Sequence, residues 1–342
     1  MPKLLSDRGP EHQPISWTMR GPDGRMVLKR IATLLAIGVL AAPLTIGVAA
    51  LSGLDHRWPD ILAQFTAPAL AATALFTLVL LALRLRGAAI AALTVSAILA
   101  AALWPQAMPD AGKARPGAPV VTLYSANLHY RNTDTGRIRA SITAADPDII
   151  VLIETSAPVA ARLDTVLAGY PHRQISANGV HKGKDATVIA SRYPLTSSRP
   201  WDFSQNYMVT VVDSPLGRLN VVGAHLTRPW PFQIQWEQIR QATDLTDLMS
   251  GLSGTTIVAG DFNSISSGRI GRQIKSETGL KANPGWPGTW PAQLPAVLGM
   301  TIDQVWRTPD LAVVSRQIGQ RNGSDHRPVV THLTLAEPRP TS

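Results

Sequence analysis

The sequence predicts an α+β fold: a layered domain of about 220 residues carried behind three transmembrane helices. Three observations lead there. Long runs that are both apolar and uncharged are confined to the first 104 of 342 residues. A stretch rich in Pro, Ala and Gly, at 105–118, follows them without apolar periodicity. Beyond it, short β-rich runs mix with helical stretches, outside the strict strand–helix–strand order of a parallel sheet.

The apolar runs come first. Residues 31–51, 61–83 and 87–104 hold 21, 23 and 18 consecutive uncharged positions. About 20 residues of helix cross a hydrocarbon core, so each run is long enough. Pro43 and Pro68 fall inside the first two, where a membrane helix tolerates a kink. Trp58 and Trp104 stand at span ends, where indole rings favour the interface. A signal peptide cleaved after Val48-Ala49-Ala50 is the alternative for the first run, but its leader and apolar core are both long for one. A buried core helix is the alternative for the third.

Lys3, Arg8, Arg20, Arg25, Lys29 and Arg30 precede the first run, and Arg84 and Arg86 separate the second from the third; only Arg57 lies between the first and second. The positive-inside rule then puts the N-terminus in the cytoplasm and, after three crossings, everything beyond Trp104 outside. The expected location is the inner (cytoplasmic) membrane, multi-pass, with an extracytoplasmic or periplasmic globular domain. The expected division is a tail at 1–30, an anchor at 31–104, a linker at 105–118, the globular domain at 119–336 and a tail at 337–342.

Within that domain, residues 120–128 read as a strand and 136–145 as a helix ended by Asp146-Pro147. Residues 148–153, DIIVLI, form a nearly continuous apolar strand, hence one buried on both faces. Residues 157–168 are helical. Strands follow at 186–191, 207–213 and 218–226, the last two joined by the turn Ser214-Pro215-Leu216-Gly217. Residues 232–249 read as an amphipathic helix and 256–259 as a short buried strand; 302–306, 311–315 and 328–335 close the domain.

Charge and composition exclude several functions. Residues 118–342 carry 21 Lys/Arg and 17 Asp/Glu, and their net +4 joins +5 in the first 117 residues to give +9 overall. No clustered basic patch of the kind that grips nucleic acid stands out; Arg131–Arg139 and His181–Lys184 are short and read as solvated loops. With no cysteine, disulfide scaffolds, thiolate nucleophiles and cysteine-ligated metals are excluded. An apolar fraction of 45% excludes disorder over most of the chain.

The chemistry sits at strand ends. The first strand ends in Asn127 and His129, the second in Glu154, the 218–226 strand carries His225, and the 256–259 strand runs into Gly260-Asp261-Phe262-Asn263. Asp303 opens a later strand, and Ser324-Asp325-His326-Arg327-Pro328 precedes the last. Each alone has an ordinary explanation: Asp and Asn are favoured turn residues, and a lone His or terminal Glu is usually solvated. Together at one rim, however, carboxylate and amide oxygens without thiolate suit a hard Mg²⁺ or Mn²⁺. Carboxylates beside histidines suit phosphate-ester hydrolysis.

These residues resemble the endonuclease/exonuclease/phosphatase superfamily. SANLH, LIE, ASRYPL, GAHL, GDFN, Ile-Asp and SDHRP occur in family order between Val120 and Leu335. The resemblance implies a DNase I-like four-layer αββα sandwich and a phosphatase or phosphodiesterase dependent on Mg²⁺ or Mn²⁺. By its motifs Glu154 is the main metal ligand, Asn127 helps hold metal and phosphate, and Asp325 lies near them. Asp261 positions or deprotonates the attacking water, and Asn263 contacts phosphate. His225 and His326 flank the scissile phosphate, and Asp303 orients His326. Two departures stand out: His129 occupies a position where some nucleases carry Asp, and Gln304 one where His or Tyr is common.

Two loops rich in Trp and Pro, 227–232 and 284–297, flank these positions. They read either as packed loop aromatics or as an apolar, membrane-proximal lip for a lipid phosphate. Thr289-Trp290-Pro291-Ala292 resembles a membrane-anchored branch of the superfamily, three spans followed by an external domain, that includes proteins associated with glycopeptide-antibiotic resistance. That resemblance implies a cell-envelope phosphate such as a polyprenyl pyrophosphate as substrate and the lipid bilayer as partner. An extracytoplasmic nuclease acting on DNA or RNA is the alternative, and an inactive scaffold the third reading. Nothing in the sequence demands a protein partner.

Overall fold

The computed structural model describes residues 24–176, 186–197, 206–230 and 234–338; His181–Lys184 and part of the 227–232 loop lie outside them. Two six-stranded sheets face each other. The first has the order β11-β12-β1-β2-β4-β3 and the second β5-β6-β7-β8-β10-β9. The strands are β1 (Val120–Asn127), β2 (Ile149–Thr155), β3 (His172–Ile175), β4 (Ala186–Ser191), β5 (Leu195–Ser197) and β6 (Tyr207–Ser214). They continue as β7 (Gly217–His225), β8 (Thr256–Asp261), β9 (Lys281–Ala282), β10 (Asp303–Arg307), β11 (Leu311–Ile318) and β12 (Val329–Leu335).

Side-chain alternation sorts the core into three seams. Val121, Leu123, Val151, Ile153, Val221, Ile257 and Val305 interleave between the sheets. Tyr124, Ile150 and Leu152 face the other way, against Ile138 and Ile142 of helix α6 (Thr135–Ala145) and Val159 and Val166 of the short α7 (Ala157–Ala160) and α8 (Leu163–Val166). Val222, Val258 and Trp306 meet Ala242 and Leu245 of α9 (Gln235–Ser250) and Ile270 and Ile274 of α10 (Arg269–Thr278). Helix, sheet, sheet and helix are thus stacked, and β2 is buried on both faces apart from Glu154, as its apolar run requires.

The single helix expected at 157–168 is two four-residue turns with Ala161 and Arg162 between them. Helix α10 and strands β3, β5 and β9 are additional; the strands span only two to four residues and so carry little periodicity.

Ahead of the sandwich lie α1 (Gly24–Val39), α2 (Ala41–Leu51), α3 (Arg57–Ala63), α4 (Thr66–Ala82) and α5 (Arg86–Ala107). The 28 residues from Gly24 to Leu51 and the 22 of α5 are long and apolar enough to cross a membrane; α3 and α4 make a third span only if counted together across a 54° bend. Small residues let these helices approach: Ala88, Ala89 and Ala92 are buried, and a Cβ on Gly47 would come within 2.9 Å of Ile98. Outward-facing Leu34, Leu75, Leu78, Ile90 and Leu93 are 63–69% exposed. Helix α5 continues through Pro105 to Ala107. Beyond it the chain lies along the sandwich, where Val313 N donates to Ala111 O and Arg115 N to Leu335 O.

Candidate active site

Sheet topology brings the polar strand ends to one rim. β1 and β2 are parallel in the first sheet, as β7 and β8 are in the second. Their carboxyl ends carry Asn127, Glu154, His225 and Asp261. β10 runs antiparallel to β8 with Asp303 opposite Asp261, and β12 runs antiparallel to β1, so the turn before it sets Asp325 and His326 over the same edge. All eight sequence-predicted residues thus lie at this rim.

Asn127 joins the two sheets. Its Nδ2 donates to Glu154 Oε1 and to Asp261 Oδ2, each at 3.0 Å, while its Oδ1 accepts from His129 N at 2.8 Å. Tyr130 N donates to the other Glu154 oxygen at 3.0 Å. His225 Nε2 stands 3.4 Å from Glu154 Oε1. Asn263 is engaged within the site: its backbone N donates to Asp261 Oδ1, and its Nδ2 to Leu226 O and Asp261 Oδ2. In this geometry the two amides brace the carboxylates.

His326 closes the far side. Its Nδ1 is 2.8 Å from Asp303 Oδ2 and its Nε2 is 3.8 Å from Asp261 Oδ2. Asp325 lines the cleft, where its Oδ2 accepts from Trp290 Nε1 at 3.1 Å.

The backbone is bent to achieve this. His129, Glu154 and Asn263 adopt φ of 62°, 53° and 48°. Left-handed conformations at non-glycine residues cost about 1–3 kcal/mol each and gather where the surrounding structure enforces them. Gly260 has φ 148°, and a Cβ there would lie 2.0 Å from Ala224 O; only glycine lets β8 pass β7 this closely just before Asp261.

Burial and charge set the proton affinities. Burial, reinforced by the neighbouring charge of Asp303, raises the Asp261 carboxyl to about 6. For His326 burial acts downward, but Asp303 and Asp261 outweigh it and lift the imidazole to about 10.

Among the described residues, two groups hold ligand atoms within 4.8 Å of one another: Glu154, His225 and Asp261, and Asp261, Asp303 and His326. Asp325 belongs to neither. The first group fits a hard divalent cation, because it offers two carboxylates and an imidazole at the lining of one cleft.

The cleft above has a volume of about 390 Å³. Its lining includes the polar Glu154, Asp261, Asn263, His225 and His326 and the apolar Trp230, Trp290, Met300 and Ile302.

Sequence reasoning missed the supports. Gln235, Gln238 and Gln241 are buried on α9: they donate to Asp60 of α3, donate to Phe262 O and Asn263 O, and accept from Thr227 N, respectively. Glutamines spaced by three on the buried face of a helix were the readable signal. Gln64, inside the second apolar run, also lines the cleft and donates to Asn263 O at 3.3 Å; nothing in the sequence marked it.

A profile of the Endonuclease/Exonuclease/phosphatase family matches residues 124–326. The UPF0294 protein VP2298 of Vibrio parahaemolyticus is 25% identical over 224 residues, 61% of this chain and 76% of that protein. An endonuclease/exonuclease/phosphatase family protein from Bacteroides thetaiotaomicron superimposes with a TM-score of 0.52 at 16% identity, over 64% of this chain and 99% of that one. Humanized TDP2 of D. rerio, carrying 14 mutations, does so with 0.53 at 14% identity, over 63% and 98%. At these identities the structural likeness is one of fold.

Proposed function

The chain belongs to the endonuclease/exonuclease/phosphatase family, and from that premise we propose that it is a membrane-anchored phosphoester hydrolase acting on a phosphate ester or pyrophosphate of a cell-envelope lipid. Members of the family are in general phosphoester hydrolases that typically use divalent metals. The observation that carries the reading is the joined cluster of Glu154, Asp261 and His326 in a cleft that Trp230 and Trp290 also line.

Glu154 and Asp261, with His225 beside them, would hold Mg²⁺ or Mn²⁺. Such an ion supplies positive charge at a phosphoryl oxygen and lowers the pKa of water. Asp261, at the cleft beside Glu154 and His326, is placed to orient the attacking water and take its proton. His326, protonated below about 10, presents Nε2–H to the negative charge that builds on the phosphoryl group. Asp303 fixes its ring by engaging Nδ1, and His225 faces the phosphate from beside Glu154.

Anchoring is supported by the parity of the contacts. The segment between the first two apolar stretches touches the sandwich: Arg57 donates to Pro229 O, Arg269 N to Asp60, and Arg272 to Gly53 O and Asp55. The far end of α5 does so as well, through Gln106 and Thr301. Both are expected on the outer side after one and three crossings. A C-terminal reporter active only in the cytoplasm would overturn this topology.

The deciding assay is Mg²⁺-dependent phosphate release from a polyprenyl pyrophosphate by the full chain in detergent. Duplex DNA serves as the parallel substrate and Glu154→Gln as the control. Lipid turnover lost in the variant is the expected result; cleavage of DNA with no lipid turnover would replace the reading with a nuclease.

A further inference from the structure

The polar floor of the cleft accounts for a phosphate but leaves its aromatic wall unexplained. That wall does not end at the sandwich. Trp290, whose indole donates to Asp325, meets Trp230 edge-on with ring centroids 6.4 Å apart. Trp230 in turn lies 6.1 Å from Phe65. Phe65 is the residue before Thr66, at the break where the α3–α4 pair turns by 54°. Its neighbour Gln64 is itself part of the cleft wall.

Three aromatic rings therefore run from the first turn of an apolar helix to the carboxylate beside His326. The loop carrying Trp290 also reaches that helix. Its short turn at Ala296–Leu298 packs on α4. Leu294 and Val297 at its tip remain 44% and 45% exposed. Further along α4, Leu75 and Leu78 are exposed as well, so the same helix that carries Phe65 at its start presents apolar side chains outward. Rings of this kind attract hydrocarbon and contribute little to a bare phosphate.

We propose that the break between α3 and α4 is the entry port of the active site, where the hydrocarbon chain of a lipid phosphate lies along the contacting rings of Phe65 of the anchor and Trp230 of the sandwich. The anchor is then part of the substrate site as well as a tether. The chain leaves the bilayer beside α4, passes Phe65, Trp230 and Trp290, and brings its phosphate to His225 and His326. This rests on the hydrolase reading above and deepens it, because it makes chain length a determinant of turnover.

The test uses the full-length protein in mixed micelles of fixed composition and a series of prenyl pyrophosphates from five carbons upward. kcat/KM should rise at least tenfold between the shortest member and those of fifteen carbons or more, mainly through KM. Trp230→Ala and Phe65→Ala should each reduce that ratio at least fivefold, whereas Trp230→Phe, which keeps a ring between its neighbours, should preserve it. A wild-type enzyme that turns over all chain lengths equally overturns the port and leaves the hydrolase reading standing. So does an undiminished ratio in both alanine variants. If no member of the series is hydrolysed at all, the lipid-phosphate reading itself falls, and the port with it.

Discussion

Asp303 Oδ2 and His326 Nδ1 lie 2.8 Å apart, and both side chains are less than a tenth exposed. They stand 23 positions apart in the chain, one opening β10 and the other preceding β12. The contact fixes which imidazole nitrogen faces the cleft, since Nδ1 is engaged and Nε2 is left toward Asp261. It also holds a cation in a buried place where an unpaired imidazole would lose its proton.

His326→Ala should therefore lower kcat by about 10²–10⁴, the range typical for a group that assists charge or proton movement in the transition state. Asp303→Asn, which leaves the imidazole present but less firmly held, should cost about 10- to 100-fold. Steady-state phosphate release from the same substrate compares them. Asp303→Asn losing as much as His326→Ala would show that the carboxylate itself takes part in the chemistry.

The same pair predicts a dependence of stability on pH. Its folded-state value, about 10, lies above the ordinary histidine value of 6.5. A raised value means the folded state binds the proton more tightly, so the stabilisation is complete below about pH 6.5 and is lost as pH rises toward 10. Thermal unfolding of the metal-free full chain should show a falling midpoint from pH 7 to pH 10. His326→Gln, which cannot titrate, should flatten that slope. A parallel slope in the variant would assign the effect to other groups.

Addition of Mg²⁺ or Mn²⁺ to metal-free protein should raise the unfolding midpoint, because a ligand that binds only the folded state stabilises it by mass action, about 2.7 kcal/mol at a hundredfold excess over Kd. Glu154→Gln should abolish most of that rise while leaving the metal-free midpoint within a few degrees of wild type. A full metal-induced shift in Glu154→Gln would move the cation site away from this carboxylate.

The strand ends were legible because they combine two local signals. DIIVLI ends at a carboxylate and TTIVAG at another, and a buried apolar run that stops at a charge marks the edge of a sheet. The eight polar residues at the rim follow from that pattern and from motif order. The braces were harder. Asn127 and Asn263 read as phosphate or metal contacts; in the fold their amide hydrogens go to Glu154, Asp261 and Leu226, an arrangement that for Asn127 depends on Asp261, 134 positions away. The second apolar run read as one helix because composition cannot see a bend, and the 54° turn at Gln64 and Phe65 coincides with neither of the prolines singled out in the apolar runs. Short strands such as β9 are formed by pairing with β10 and have no periodicity of their own to read.

Asp60 lies 209 positions before the helix it serves. Its Oδ1 accepts from Arg269 N at 2.7 Å, which satisfies a free amide in the first turn of α10 and places a negative charge at that helix's positive end. Its Oδ2 accepts from Gln235 of α9. One buried carboxylate thus ties the segment between the apolar stretches to both helices that cover the second sheet. Asp60→Ala would strand two buried donors, at a cost of about 2–4 kcal/mol. Asp60→Asn keeps one acceptor and should lose less. In the full chain in detergent, the unfolding midpoint should fall in the order wild type, Asp60→Asn, Asp60→Ala, and protease sensitivity of the 52–65 segment should rise in the same order. Unchanged midpoint and protease pattern in Asp60→Ala would mean that α3 does not rest on the sandwich in the folded protein, and the parity of contacts that supports three crossings would lose its outer-side half.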